Sequence, residues 1–284
     1  MPLTETGYTA LRVTRTGAVA TVTLDNPPVN TIDKALVTDL IQVVRSAKDD
    51  HELRVLVVES ANPEFFSAHA DLTWMFEPEE LVALADDEGD PNLNPLQQLH
   101  ERFRALPQIT IAKLRGRLRA GGAELAMAAD MRFAARGETW LAQPETRMGI
   151  FPGGGGTQYL TRLVGRARAL EVVLGAELFD TDLAERYGWI NRAVAPDALD
   201  TFVDALARRI GALPTGVAEA AKQAIDAAEA SGPVPDLTEE AQAHAKVYPA
   251  PRPVVDRMAR AVEAGAQTRD GELALEELLD GLDK

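Results

Sequence analysis

No cysteine occurs anywhere in the 284 residues, which excludes disulfides, thiolate metal sites and cysteine nucleophiles. Aromatics are scarce at 5%, so Leu, Val, Ile and Ala must do most of the packing in a chain that is 46% hydrophobic. No apolar run reaches the length needed to span a bilayer. The opening MPLTETGYTA has no basic patch followed by an apolar stretch, so no export signal is expected and the cytoplasm is the expected compartment. Positive charge is short too: 29 Lys and Arg stand against 44 Asp and Glu, a formal net charge of −15. Such a surface repels nucleic acid and anionic membranes, and neither is an expected partner. Several binding signatures are also missing. The glycine run 153–156 lacks the GxxxxGK[ST] pattern of a phosphate loop, and no GxGxxG follows the first strand. His51, His69, His100 and His244 are scattered without metal-ligand spacing, so no metal site is expected, and Ser67 has no GxSxG context.

What is present is a strand, turn, helix pattern repeated without a fixed period. Residues 19–24, VATVTL, read as a strand ending at the turn 25–28, DNPP. From 31 to 49, Ile32, Leu36, Leu40, Ile41, Val44 and Ala47 fall on one helical stripe. Residues 54–60, RVLVVES, form the nearly continuous apolar run of a strand covered on both faces. Residues 62–72, NPEFFSAHADL, read as a turn leading to a helix, 109–114 as a strand, and 131–135 and 139–141 as two short strands. The acidic stretch 78–95 reads as a mobile loop, open to a lid role or to being merely solvated. From about 198 the pattern turns helical, broken by Pro and Gly. The chain therefore reads as α/β, a helix-covered sheet over 1–197 with a helical region over 198–284 packed on the core or on a partner subunit.

Residues 115–130, RGRLRAGGAELAMAAD, place two glycines ahead of an apolar helix with Glu124 near its start. A helix opening at Gly121 or Gly122 has first-turn amides without helical partners at the positive end of its dipole, where an oxygen becoming anionic can sit. Taken alone, Glu124 is more simply a first-turn glutamate answering that dipole. Glu145 follows Pro144, which fixes the backbone before it, yet alone it is more simply a surface glutamate. Meeting across a glycine-lined pocket, the two would form an acid/base pair. Arg115, Arg117, Arg119, Arg166 and Arg168 could supply a local basic pocket for an anionic ligand, or lie in solvated edges and ion pairs between subunits.

Five segments in order resemble the crotonase superfamily, the enoyl-CoA hydratase/isomerase family, over residues 19–222: LDNPPVN; RVLVVES with FFSAHADL; ITIAKLRGRLRAGGAELAMAADMRFAA; LAQPETRMGIFPGGGGTQYLTRLVGRARALEVVLGA; and AERYGWINRAV. The resemblance implies a spiral of ββα units with C-terminal helices that support homotrimers, often paired into hexamers. It implies an oxyanion hole made by the amides of Ala70 and Gly121, aimed at an acyl-CoA thioester oxygen. Ala68, Ala70, Asp71, Leu72, Thr73 and Gly121 fall on positions that contact coenzyme A and substrate. Glu124 and Glu145 fall on the two glutamates of the hydratases, and Gly153 on a backbone amide that positions this pair. No cofactor is implied, since coenzyme A is part of the substrate.

The chain departs from the family pattern at His69, where glycine is usual, and at Ala120, which replaces the first glycine of a triplet. Arg117, Leu118 and Arg119 are bulkier than usual, open to phosphate binding or a subunit contact. The expected activity is hydration of a 2-enoyl-CoA to a 3-hydroxyacyl-CoA. The alternatives are double-bond isomerisation with Glu145 as sole base, and an acyl-CoA-binding homologue without catalysis.

Overall fold

A computed structural model describes residues 3, 5–213, 216–230 and 252–282; His244 and part of the helical region lie outside them. The chain opens with a hairpin, β1 (Leu11–Thr16) and β2 (Val19–Leu24), in which Leu11, Val13, Ala20, Val22 and Leu24 alternate into the core. Helix α1 (Lys34–Lys48) starts where the Asp33 side chain accepts from Leu36 N, and buries Leu36, Val37, Leu40, Val43, Val44 and Ala47. β3 (Val55–Ser60) runs parallel to β2, and its four leading residues are all buried, as a strand covered on both faces requires. Then come β4 (Phe65–Ser67), the short α2 (Pro78–Val82), α3 (Pro95–Arg104), β5 (Ile109–Arg119), α4 (Ala120–Ala128) and β6 (Met131–Ala142). α5 (Gly156–Val164), α6 (Arg166–Gly175), β7 (Phe179–Asp180), α7 (Thr181–Tyr187) and β8 (Arg192–Val194) complete the sheet-bearing part. The described helical region comprises α8 (Leu199–Gly211), α9 (Val217–Ala230), α10 (Arg252–Glu263), α11 (Arg269–Leu273) and α12 (Leu275–Gly281).

The sheet runs β1-β2-β3-β5-β6-β7, with β4 added on β5 and β8 on β6. Its two long strands change partners midway. β5 pairs with β3 over Ile109–Ala112 and with β4 near Arg117; β6 pairs with β8 over Phe133–Ala135 and with β7 at Trp140 and Leu141. Between them the register slips: Leu114 faces Ala134, but Gly116 faces Thr139. Such a bulge bends a strand pair. It carries the end of β5, and with it the start of α4, to the β4 side of the molecule.

Three differences from the sequence reading have physical causes. β6 is one strand rather than two, because the extra residues between Ala134 and Thr139 are absorbed as the bulge instead of ending the ladder. The 62–72 turn contains a strand, since Phe65 and Phe66 are fully buried beside β5. The acidic segment is pinned rather than merely solvated: Asp86 is buried and bonded by Arg45 and Arg102.

α8 packs on the sheet through Leu199 and Val203 against Val55, Ile111 and Phe133, so the chain continues to build core past residue 198. The last helices cover another face, where Met258, Ala261, Leu275 and Leu279 bury Leu72 and Met148. Each buried Leu or Met side chain among them contributes roughly 1.5–3 kcal/mol.

Candidate active site

All nine residues of α4 are buried, so the carboxylate it carries must find donors inside the protein. Glu124 finds them in the glycine run: its Oε1 accepts from Gly154 N at 2.8 Å and Gly156 N at 2.9 Å. A Cβ at 154 would lie 2.5 Å from Glu124 Oε2, and one at 156 would lie 2.8 Å from Oε1, so only glycine lets the loop close this tightly. The run that fails as a phosphate loop is thus a cradle for a side-chain carboxylate.

The cradle is itself held by α3. Asn94 caps that helix, accepting from Gln97 N while Gln97 Oε1 accepts from Asn94 N. Its amide also donates to Gly153 O at 2.7 Å, and His100 Nδ1 donates to Gly154 O at 2.6 Å. Burial pushes His100 down to about 4 against the opposing pull of that carbonyl, so the ring is neutral with its proton on Nδ1. Gly153 is tied to α3 through its carbonyl, and the amides of Gly154 and Gly156 are among the groups that hold Glu124.

Glu145 opens a 3-10 turn after Pro144 and is 5% exposed. With its amide nitrogen turned to the carboxylate, Gln143 donates to Oε1 at 2.8 Å and Oε2 at 3.1 Å. Gln143 also lies beside Gly156, within 3.0 Å of a Cβ built there, so the supports of the two glutamates touch. Glu124 and Glu145 line one cavity of about 190 Å³, together with Ala70, Gly121, Gly153 and Met258. Asp71 and Leu72 also reach its wall. Ala68 is fully buried against Val29 and Phe65, and exposed Thr73 donates to Asp71, so these two stand outside it.

Ala70 and Gly121 meet at the cavity. Ile32 bridges this segment, its N bonding to His69 O and its O accepting from Asp71 N. In extended backbone that pattern turns the Ala70 N–H to the opposite side. There α4 begins: a Cβ on Gly121 would lie 3.2 Å from Ala70 N. As a first-turn amide, Gly121 N–H has no carbonyl partner within its own helix. The approach is tight one residue on as well, where a Cβ on Gly122 would fall 2.3 Å from Ser67 O. Ala120, standing where the family has glycine, takes a left-handed φ of +47° to make this entry.

His69 and Arg119, the two departures flanking these residues, are committed to each other's neighbours. His69 donates from Nδ1 to Ala70 O at 2.9 Å and from Nε2 to Glu272 Oε1 at 2.5 Å. Both acceptors lack protons, so the ring is an imidazolium. Burial opposes that charge, and Arg119 also disfavours it, but Glu272 and the Ala70 carbonyl outweigh them and raise the pKa. Glu272 is held below the usual carboxylate range: burial raises it, while His69, the Gln267 amide and Arg119 lower it further. Arg119 is fully buried and makes a bidentate pair with Glu276 at 2.9 and 3.0 Å. Arg115 pairs with Glu138 and Asp200, and Arg168 stacks over the Tyr187 ring, whereas Arg117 Nε is buried without a hydrogen-bond partner among the described residues.

Sequence reasoning missed Asn94, Gln143, His100, Glu272 and Glu276. Only Asn94 had a local signal, the Asn-Pro-x-Gln start of a capped helix. The others matter through contacts 30 or more residues away or, for Gln143, through the fold of one turn.

Comparison with known proteins gives the family. The enoyl-CoA hydratase/isomerase family model matches residues 14–251. A presumed enoyl-CoA hydratase/isomerase of Bacillus subtilis is 30% identical over 84% of this chain and 88% of its own. A short-chain-enoyl-CoA hydratase of Clostridium acetobutylicum is 30% identical over 74% of this chain and 78% of its own. The crystal structure of a presumed enoyl-CoA hydratase from Streptomyces avermitilis superposes with a TM-score of 0.90 at 45% identity, covering 98% of this chain and 99% of that one. The chain belongs to the enoyl-CoA hydratase/isomerase family and has its crotonase fold.

Proposed function

We propose that the protein adds water across the 2,3 double bond of a 2-enoyl-CoA, giving a 3-hydroxyacyl-CoA. The observation that carries the reading is that two buried glutamates share one cavity with Ala70 and Gly121. The thioester oxygen accepts from the amides of these two residues, which stabilise the enolate as negative charge moves onto it. A single such donor is worth about 3 kcal/mol of barrier. Water sits between the carboxylates. Glu124, fixed by two amides, takes a proton from the water as its oxygen bonds to C3, and Glu145 gives a proton to C2. The C2–C3 π pair becomes the new C2–H bond, and the cycle closes when Glu124 loses its proton to solvent and Glu145 regains one from it. The thioester is the activating group, so no resident cofactor is invoked. The same reading carries the family's trimer or pair of trimers in the cytoplasm.

Glu124→Ala and Glu145→Ala test it, with hydration followed by loss of the enoyl thioester absorbance. Each is expected to lower kcat by about 10²–10⁴-fold. Were Glu124→Ala to keep moving the double bond of a 3-enoyl-CoA at the wild-type rate while wild type hydrated nothing, isomerisation by Glu145 alone would replace the hydratase reading.

A further inference from the structure

We propose that Glu272, on the C-terminal helix α11, is a positioning residue for the oxyanion hole: it holds His69 and Arg119, and through them the spacing of Ala70 and Gly121. The proposal rests on the reading that these two amides receive the thioester oxygen.

Each half of the hole is entered through a charged residue. His69 directly precedes Ala70 and donates to its carbonyl, so the imidazolium fixes the peptide that follows the Ala70 N–H and limits the turn of that residue. Arg119 ends β5 and leads through Ala120, with its left-handed φ, into Gly121. Both cations converge on one carboxylate. Glu272 Oε1 accepts from His69 Nε2 at 2.5 Å and from Gln267 N at 2.6 Å, while Oε2 lies 3.6 Å from Arg119 Nη1. Arg119 is further braced by Glu276 of α12, and Gln267 Nε2 donates to Asp71, the residue after Ala70.

His69, Arg119 and Glu272 are at most 2% exposed. Buried ion pairs are poor sources of stability compared with apolar packing, because desolvation cancels most of their attraction. If the only task were to fasten α11 and α12, Leu and Phe at these places would serve. A charged network does what packing does not: its hydrogen bonds have fixed length and direction, and here one ends on the carbonyl of Ala70 while the ion pairs of Arg119 hold the residue two before Gly121.

The test uses the full chain and a saturated acyl-CoA labelled with 13C at the thioester carbonyl. In wild type, binding should move the carbonyl stretching band to lower frequency, the signature of two donors on the oxygen. In Glu272→Gln the band should recover at least half of its free-solution position. kcat for hydration should fall about 10-fold, because a misplacement well below 1 Å already costs rate, with KM within about twofold. The double variant His69→Gln/Glu272→Gln, which restores a neutral hydrogen-bonded pair, should regain part of the band shift. If Glu272→Gln does not fold, Glu276→Gln on the partly exposed partner is read instead, and partial band recovery is expected. An unchanged band with unchanged kcat in whichever variant folds overturns the proposal, and so does a fall in kcat and Tm with the bound carbonyl band unmoved, which would make Glu272 an anchor only. If wild type itself shows no band shift, the thioester reading fails and this proposal with it.

Discussion

A methyl group at Gly154 would stand 2.5 Å from Glu124 Oε2. The neighbouring atoms belong to a fixed helix on one side and a loop tied to α3 on the other, so the carboxylate must give way. Gly154→Ala is expected to lower kcat by about 10²-fold with the protein still folded, as a displaced catalytic group does. Steady-state kinetics beside circular dichroism would check it; wild-type kcat would show that the cradle does not aim Glu124. The residue scale is also where sequence reading was least complete. Glu124 by itself looked like a helix-start glutamate, yet its donors are the amides of another helix's entry, 30 and 32 residues on. His69 could be seen to be unusual, but its partner 203 residues away carries no mark in the sequence.

Elements were easier to read where one face or both faces decide the pattern. The α1 stripe and the apolar β3 run stand where periodicity put them. β1 was passed over, and β5 was cut at Leu114 although it continues to Arg119, because charged residues on its outer half hide the alternation. That continuation sets the hole, since it delivers Arg119 and Gly121 together. α3, which follows the acidic segment, was not read at all, and its buried His100 gives a test at this scale. The ring is neutral when folded, pushed down to about 4, whereas in the unfolded chain it takes a proton near the ordinary histidine value of 6.5. Between these values the unfolded chain binds more protons, so stability falls as pH drops from about 7 to about 4, by on the order of 3 kcal/mol from this group. His69 has the opposite sign, its raised pKa giving stability that is present at low pH and lost as pH rises through the folded value. His100→Gln should therefore flatten the acid limb of a urea-denaturation series between pH 7 and 5. Parallel wild-type and variant curves would mean that His100 is not buried neutral.

At the scale of the whole molecule the charge balance dominates. With 44 acids against 29 bases, compaction brings together a net −15. Exposed ion pairs such as Arg136 with Asp182 and Glu185, or Arg252 with Asp256, are worth only about 0–1 kcal/mol each, and salt weakens them. The repulsion among the excess acids acts over longer range. At 0.01 M ionic strength the screening length of about 30 Å spans the protein, whereas at 0.15 M it is about 8 Å and reaches only near neighbours. The two effects of salt oppose each other, and the excess of acids decides the sign: self-repulsion destabilises the compact state more than isolated surface pairs support it. Tm should therefore rise by a few degrees, about 1–2 kcal/mol for a chain of this length, between 0.01 and 0.15 M NaCl at neutral pH. The His69–Glu272 pair, sealed from solvent, should keep its contribution throughout, so Glu272→Gln should show the same salt slope as wild type from a lower starting Tm. A Tm that falls with salt would show that specific surface pairs outweigh the net charge, and a slope altered in the variant would show that the buried network is open to solvent ions.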